Sequence, residues 1–144
     1  MFDKYFEDYE IGEKWRSTRG RTITEADIVN FASFSGDWYP LHTDAEWAEK
    51  SPFRRRIAHG MLVLSAATGL NKMEPGYIAA FYGMDQVRFT APTFIGDTIY
   101  VENEVVEKTD KGKHGVVTLC SAVKKQTGET AAVSIMKVLM YKRP

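Results

Sequence analysis

The chain has 144 residues, about the size of one domain, with 44% apolar and 26% charged residues, as is typical of a soluble globular protein. Lys+Arg and Asp+Glu number 19 each, so net charge gives no reason to expect a nucleic acid or an anionic membrane as partner. A single cysteine excludes a disulfide framework within the chain, and neither a signal peptide nor a membrane span is apparent. We therefore expect one domain, residues 1–144, in the cytoplasm.

The first third of the chain predicts one strand and two short helices. "KWRSTRGRTIT" (14–24) is polar and β-tolerant, and Thr24 is a plausible N-cap for an apolar helical pattern that ends at Gly36. Gly36 and a proline then indicate that "GDWYPLH" (36–42) is a loop. "TDAEWAEK" (43–50) has the pattern of a second short helix.

The remaining two thirds predict one buried helix followed by a sheet. "HGMLVLSAATGLNKM" (59–73) is apolar nearly all round, which is typical of a helix in the middle of a fold. From Tyr77 onward, four segments rich in Val, Ile, Tyr and Thr are separated by turn signals. The pattern predicts an α+β protein with a four-strand antiparallel meander, which an earlier strand completes. Because such a sheet has two edges, we expect a homodimer or higher homo-oligomer.

Asp37 and His42 form the first candidate for chemistry. A carboxylate and an imidazole on one loop can share a water molecule, one accepting a proton while the other donates one. The alternative is a surface turn in which Asp37 caps backbone amides and His42 is incidental.

The start of the apolar helix, "IAHGM", is the second candidate. The amide of Gly60 lies in the first turn, where the helix dipole favours developing negative charge, although Gly60 can equally serve close packing. His59 is either functional or a structural histidine bonded to backbone. A metal site built from His42, Asp44 and His59 has no supporting Cys pair or HExxH spacing, so no metal is predicted.

Several other side chains have both a functional and a structural interpretation. Arg54, Arg55 and Arg56 form either a solvated charge run or a phosphate site. Thr68 is either a hydroxyl near the site or one bonded to the i−4 carbonyl. The sequence contains no GxGxxG, P-loop or GxSxG motif.

Three segments in this order, "FASFSGDWYPLHTDAEWA", "IAHGM" and "VRFTAPTFIGDTI", resemble the MaoC-like family of dehydratases, which includes the (R)-specific enoyl-CoA hydratases. The resemblance extends roughly from Tyr9 to Tyr141. It implies a hot-dog fold, in which an antiparallel sheet wraps a long helix and two subunits join their sheets. It further implies reversible hydration of trans-2-enoyl thioesters of coenzyme A to (R)-3-hydroxyacyl thioesters, without metal or cofactor.

The resemblance also implies roles for individual residues. Asp37 and His42 match the catalytic pair, and Gly60 matches the glycine whose amide receives the thioester carbonyl. Thr68 matches a serine of related hydratases, with Ser65 as an alternative on the same helix. Substrate contacts are further expected from Trp38, Tyr39 and the three arginines. Tyr39 stands where the family commonly has asparagine, which bears on the acyl chains accepted.

Two other functions remain open at this point. A thioesterase on the same fold would use an acid–base residue and the same amide. A non-catalytic acyl-thioester-binding or assembly subunit would keep the fold without needing the pair, but both members are present. The carrier is either coenzyme A or an acyl carrier protein.

Overall fold

Six strands form one antiparallel sheet in the computed structural model, which describes residues 1–144. The strands are β1 (Lys14–Arg16), β2 (Arg21–Thr22), β3 (Ile78–Phe89), β4 (Thr98–Asp110), β5 (His114–Lys125) and β6 (Thr130–Tyr141). Their order is β1-β4-β5-β6-β3, with β2 pairing with the same strand as β1. The long strand β3 therefore forms one edge of the sheet.

Four helices precede the long strands. They are α1 (Glu25–Ser35), α2 (Pro40–Thr43), α3 (Ala45–Glu49) and α4 (Gly60–Leu70), and a 3-10 turn lies at Phe6–Asp8. Helix α1 begins with the predicted cap: the Thr24 hydroxyl accepts from the Asp27 amide, and the Asp27 carboxylate accepts from the Thr24 amide. No helix is both long and apolar enough to cross a membrane.

Two groups of buried side chains cover the same sheet. In the first, apolar residues of α4 such as Leu62 and Ala66 pack with Ile99, Val101 and Val123. The second is formed by side chains from the N-terminal segment and the far ends of the long strands, and its members are Phe2, Phe6, Tyr9, Val105, Val117, Leu119, Met136, Val138 and Met140. The eleven residues of α4 extend only about 16 Å, which is shorter than the long strands. The N-terminal segment covers the part of the sheet that α4 does not reach.

The structure corrects four details of the sequence prediction. The last four strands are not a simple meander, because β3 pairs with β6 rather than with β4. The predicted first strand, 14–24, is two short strands, and the predicted loop 36–42 contains the start of a one-turn helix, α2. Helix α4 is also not buried all round, because Met61 is 61% exposed and Ser65 is exposed one turn later.

Candidate active site

The turn after α1 places the carboxylate of Asp37. Gly36 ends the helix in the left-handed conformation, φ +77°, and its amide donates to the Ala32 carbonyl. Asp37 Oδ1 then accepts from the Tyr39 amide at 3.1 Å, which is the Asx turn that the structural interpretation anticipated. This bond uses one carboxylate oxygen to hold the turn. The side chain remains exposed to solvent.

His42 lies on α2 with its ring fixed by a backbone bond. Its Nδ1 is 2.8 Å from the Ile57 carbonyl oxygen. Because a carbonyl only accepts, the neutral ring carries its proton on Nδ1 and keeps a free lone pair on Nε2. Burial is the largest influence on the pKa of His42 and lowers it, and the Ile57 carbonyl opposes that effect. The ring is therefore neutral at pH 7 and can accept a proton.

Asp37, His42 and His59 meet at one place. One nitrogen or oxygen atom from each side chain lies within 4.8 Å of the other two. A water molecule can bridge two polar atoms at that separation, since two hydrogen bonds span about 5.5 Å. The arrangement can therefore hold and polarise one water between a carboxylate and an imidazole.

The same three groups fit a metal ion poorly. The rings of His42 and His59 are stacked, with centroids 4.0 Å apart and planes 27° from parallel, so their in-plane lone pairs do not converge on one point. Asp44, the third member of the set considered from the sequence, instead caps α3 by accepting from the Trp47 amide at 3.0 Å.

Gly60 opens helix α4 beside this cluster. The first amides of a helix have no intrahelical acceptor, and the His59 side chain does not cap them. A Cβ at position 60 would stand 2.6 Å from the Phe89 ring, so a side chain there would require that ring to move. Gly60 therefore satisfies both interpretations given above: it allows close packing, and it presents an unprotected amide at the positive end of a helix.

A cavity of about 400 Å³ joins His42 to Gly60. Its size is within the range of small-molecule sites. Most of its walls are apolar, and the lining residues are His42, Phe53, Ile57, Ala58, Gly60, Met61, Val63, Phe89, Thr90, Ala91, Pro92, Thr93 and Ala131. An apolar acyl group in this cavity would lie against both the imidazole and the helix-start amide.

The three predicted arginines have different surroundings. Arg56 is bound within the protein: its Nε donates to the His42 carbonyl at 2.6 Å, and Nη1 donates to both carboxylate oxygens of Glu25. Arg55 lies over the Phe94 ring, 3.6 Å from its centroid. Arg54 is exposed, and all three line a second groove of about 370 Å³. Arg56 thus has a structural role that the sequence prediction did not assign to it.

Besides the three arginines, four predicted substrate contacts lie outside the cavity lining, namely Trp38, Tyr39, Ser65 and Thr68. Asp37 is not among the lining residues either, and it reaches the cavity only through its proximity to His42. The Ser65 and Thr68 hydroxyls donate to the i−4 carbonyls of their helix, as the structural alternative for Thr68 anticipated. The Tyr39 ring packs edge-on against Trp47, 5.4 Å between centroids, and is 6.2 Å from the His42 ring.

Sequence reasoning missed the residues that hold His42 in place. Ile57 acts through its backbone carbonyl, for which no residue type is a signal. Phe53 and Phe89 also line the cavity, and the sequence analysis did not single out either residue. The only sequence signal for Phe89 is that it is the aromatic residue of the "VRFTAP" segment.

Comparison with known proteins gives consistent similarities. Residues 7–127 match the family model described as "MaoC like domain". Over 112 residues the chain is 45% identical to Protein MaoC of Klebsiella aerogenes, covering 76% of this chain but only 33% of that protein. The chain thus spans about a third of the length of that relative.

Two further similarities extend over most of both chains. The (R)-specific enoyl-CoA hydratase of Aeromonas caviae is 34% identical over 124 residues, 85% of this chain and 88% of that enzyme. A crystal structure of a monoamine oxidase regulatory protein from Archaeoglobus superposes with a TM-score of 0.90 at 46% identity, covering 98% of this chain and 96% of the other. These similarities confirm the predicted α+β hot-dog fold.

Proposed function

The chain belongs to the family of MaoC-like domains, and from that membership we propose that it catalyses reversible hydration of trans-2-enoyl-CoA thioesters to (R)-3-hydroxyacyl-CoA. The observation that carries the proposal is the meeting of the Asp37 carboxylate and the His42 imidazole beside an apolar cavity that reaches Gly60. A relative with this activity spans most of the chain, which supports the same reaction.

Water activation is assigned to Asp37 and His42. The Nε2 lone pair of His42 accepts a proton from a water molecule that the Asp37 carboxylate orients, because Nδ1 is already bonded to the Ile57 carbonyl. The water oxygen bonds to C3 of the enoyl group as the C2–C3 double bond opens. The pair returns one proton to C2, so that water is added without any net change in the enzyme.

Charge stabilisation is assigned to the start of α4. As the water attacks C3, electron density moves through C2 onto the thioester oxygen. The Gly60 amide faces no intrahelical acceptor, and the helix dipole adds partial positive charge at the same point. The largely apolar lining of the cavity would strengthen this interaction once a bound acyl group displaces water from it.

Carrier contacts are proposed for the second groove. Arg54 and Arg55 present guanidinium groups there, which suit the phosphates of coenzyme A or of an acyl carrier prosthetic group. Five further substrate contacts remain predictions, namely those from Trp38, Tyr39, Ser65, Thr68 and Arg56. To bind substrate, Arg56 would have to share its guanidinium with Glu25.

A homodimer is proposed through the β3 edge. This strand has a neighbour on one side only, and Phe81 and Tyr82 along it are 52% and 55% exposed. Pairing with a second copy would satisfy the open backbone groups and bury these rings. Met61, an exposed residue of the cavity lining, would also be covered if the second copy extends over α4.

The experiment that tests the reaction follows crotonyl-CoA. Purified protein should remove the conjugated enoyl absorbance, and chiral analysis should find the (R) product. Asp37→Asn and His42→Ala should each lower kcat by at least about 100-fold, within the range for acid–base groups. His114→Ala, on β5, is the matched control and should retain full activity.

The outcome separates the alternatives. Release of free thiol without loss of a double bond would indicate a thioesterase and contradict the proposal. Binding of several enoyl thioesters without hydration or thiol release would contradict it in favour of a binding subunit.

A further inference from the structure

His59 is the most deeply buried polar group near the proposed pair, and the reaction described above gives it no step. It is 2% exposed and does not line the substrate cavity. Although it is the N-cap residue of α4, its side chain makes no capping bond. A buried imidazole that neither caps its helix nor reaches the cavity requires another explanation.

The contacts of His59 lead to both members of the pair. Its Nε2 is 2.9 Å from the main-chain carbonyl oxygen of Asp37, and its ring is stacked on that of His42 at 4.0 Å. The ring of Phe31 lies 4.9 Å from it, which fixes His59 between α1 and α2. Since the Asp37 carbonyl only accepts, Nε2 carries the proton, and Nδ1 is buried without a partner.

We propose that His59 is a positioning residue that sets the spacing of Asp37 and His42: its Nε2–H holds the main chain of Asp37, and its ring supports the face of the His42 imidazole. The inference rests on the proposed hydratase reaction for its activity tests. It assigns no contact with substrate to His59. A hydrocarbon side chain could fill the same space but could not hold Asp37, and an amide could hold Asp37 but could not stack in the same way.

The electrostatic surroundings support this role. The groups that face His42 are Asp37 and His59, the Arg56 guanidinium on its carbonyl side with Glu25 behind it, and the Tyr39 ring. Burial lowers the pKa of His42 most, and His59 and Arg56 lower it further, whereas the Ile57 carbonyl and Asp37 raise it. A neighbouring imidazole therefore favours the neutral ring that accepts a proton.

The first test is spectroscopic and needs no substrate. Nitrogen-15 NMR at neutral pH should find His42 with its proton on Nδ1 and His59 with its proton on Nε2. The chain has only three histidines, so His114→Gln completes the assignment. Finding the proton of His59 on Nδ1 would remove its bond to the Asp37 carbonyl and overturn the proposal.

The second test separates the two contacts with two variants. His59→Phe keeps an aromatic ring and removes the donor, whereas His59→Gln keeps an N–H donor and removes the ring. Both should lower kcat for crotonyl-CoA by at least about tenfold while KM stays within about threefold, because His59 lies outside the cavity lining. In His59→Gln the pKa of His42, followed by NMR, should rise.

Other outcomes contradict the positioning role. Turnover within about twofold of the wild type in both variants would overturn it, as would a loss confined to KM. An unchanged pKa of His42 in His59→Gln would show that the ring contact has no effect on His42, and it would overturn the proposed support of the His42 ring. If the wild-type protein hydrates no enoyl thioester, the proposed function fails, while the tautomers and the pKa of His42 still decide the role of His59.

Discussion

Arg56 provides the most quantitative test of how the site is held together. Its guanidinium joins two elements, since Nε donates to the His42 carbonyl at 2.6 Å and Nη1 donates to both Glu25 oxygens at 2.8 and 2.9 Å. The arginine side chain is 15% exposed and the glutamate 56%. The two bonds therefore lie in different dielectric surroundings and should differ in strength.

The two contributions can be estimated separately. An ion pair with a carboxylate this exposed is worth about 0.2–1 kcal/mol. A hydrogen bond from a charged group to a half-buried carbonyl is worth about 1.5–3 kcal/mol. Arg56→Met removes both and should lower the free energy of unfolding by about 2–4 kcal/mol, whereas Glu25→Gln should lower it by less than about 1 kcal/mol.

Urea unfolding of the two variants and of the wild type measures these differences. Arg56→Lys keeps the positive charge but lacks a planar group that reaches the carbonyl and the carboxylate together. Its loss of unfolding free energy should therefore lie between those of Glu25→Gln and Arg56→Met. Arg56→Met should also lower hydratase turnover, because the backbone of His42 loses its support. Equal losses of stability in Glu25→Gln and Arg56→Met would refute this division and show that the ion pair dominates.

Three further outcomes are expected. The folded state lowers the pKa of His42 below its usual 6.5, so kcat/KM should hold at pH 6.5 and fall only at lower pH. For the same reason the unfolded state binds this proton more readily than the folded state does. Urea unfolding should therefore show a free energy of unfolding that decreases as the pH drops below 6.5. Lys125→Met should cost about 3–5 kcal/mol in unfolding free energy, because it leaves the nearly buried Asp97, 2.8 Å from the Lys125 ammonium, without its charge partner; a loss below about 1 kcal/mol would contradict this. Gly60→Ala should lower both thermal stability and kcat, because its Cβ would meet the Phe89 ring at 2.6 Å. Gly60→Ala/Phe89→Leu should recover stability; since alanine keeps the backbone N–H, a kcat that stays below that of Phe89→Leu alone would show that the Cβ obstructs approach to the amide, and full recovery of kcat would contradict this.

Local patterns in the sequence were sufficient for most elements and for the fold. The Thr24 cap, the left-handed Gly36 and the apolar run after His59 are short-range signals, because capping, turn geometry and helical spacing depend on residues a few positions apart. The long strands were found for the same reason. The residue types make Asp37, His42 and Gly60 candidates, and the family resemblance implies their roles. The fold brings Asp37 close to His42 and joins His42 to Gly60 by one cavity, while the roles stay predictions.

Only the tertiary structure decided the partners of these residues. The pairing of β3 with β6 joins residues far apart in the chain, and no local pattern distinguishes it from a meander. The Ile57 carbonyl that sets the proton of His42 is a backbone atom, which every residue has. The sequence predicts either a charge run or a phosphate site for Arg56 and its neighbours, yet the structure binds Arg56 to Glu25. For His59 the sequence allows a functional or a structural role, and only the structure shows its contacts with the Asp37 carbonyl and the His42 ring. The sequence determined which chemical groups are present, whereas long-range packing determined which of them remain free.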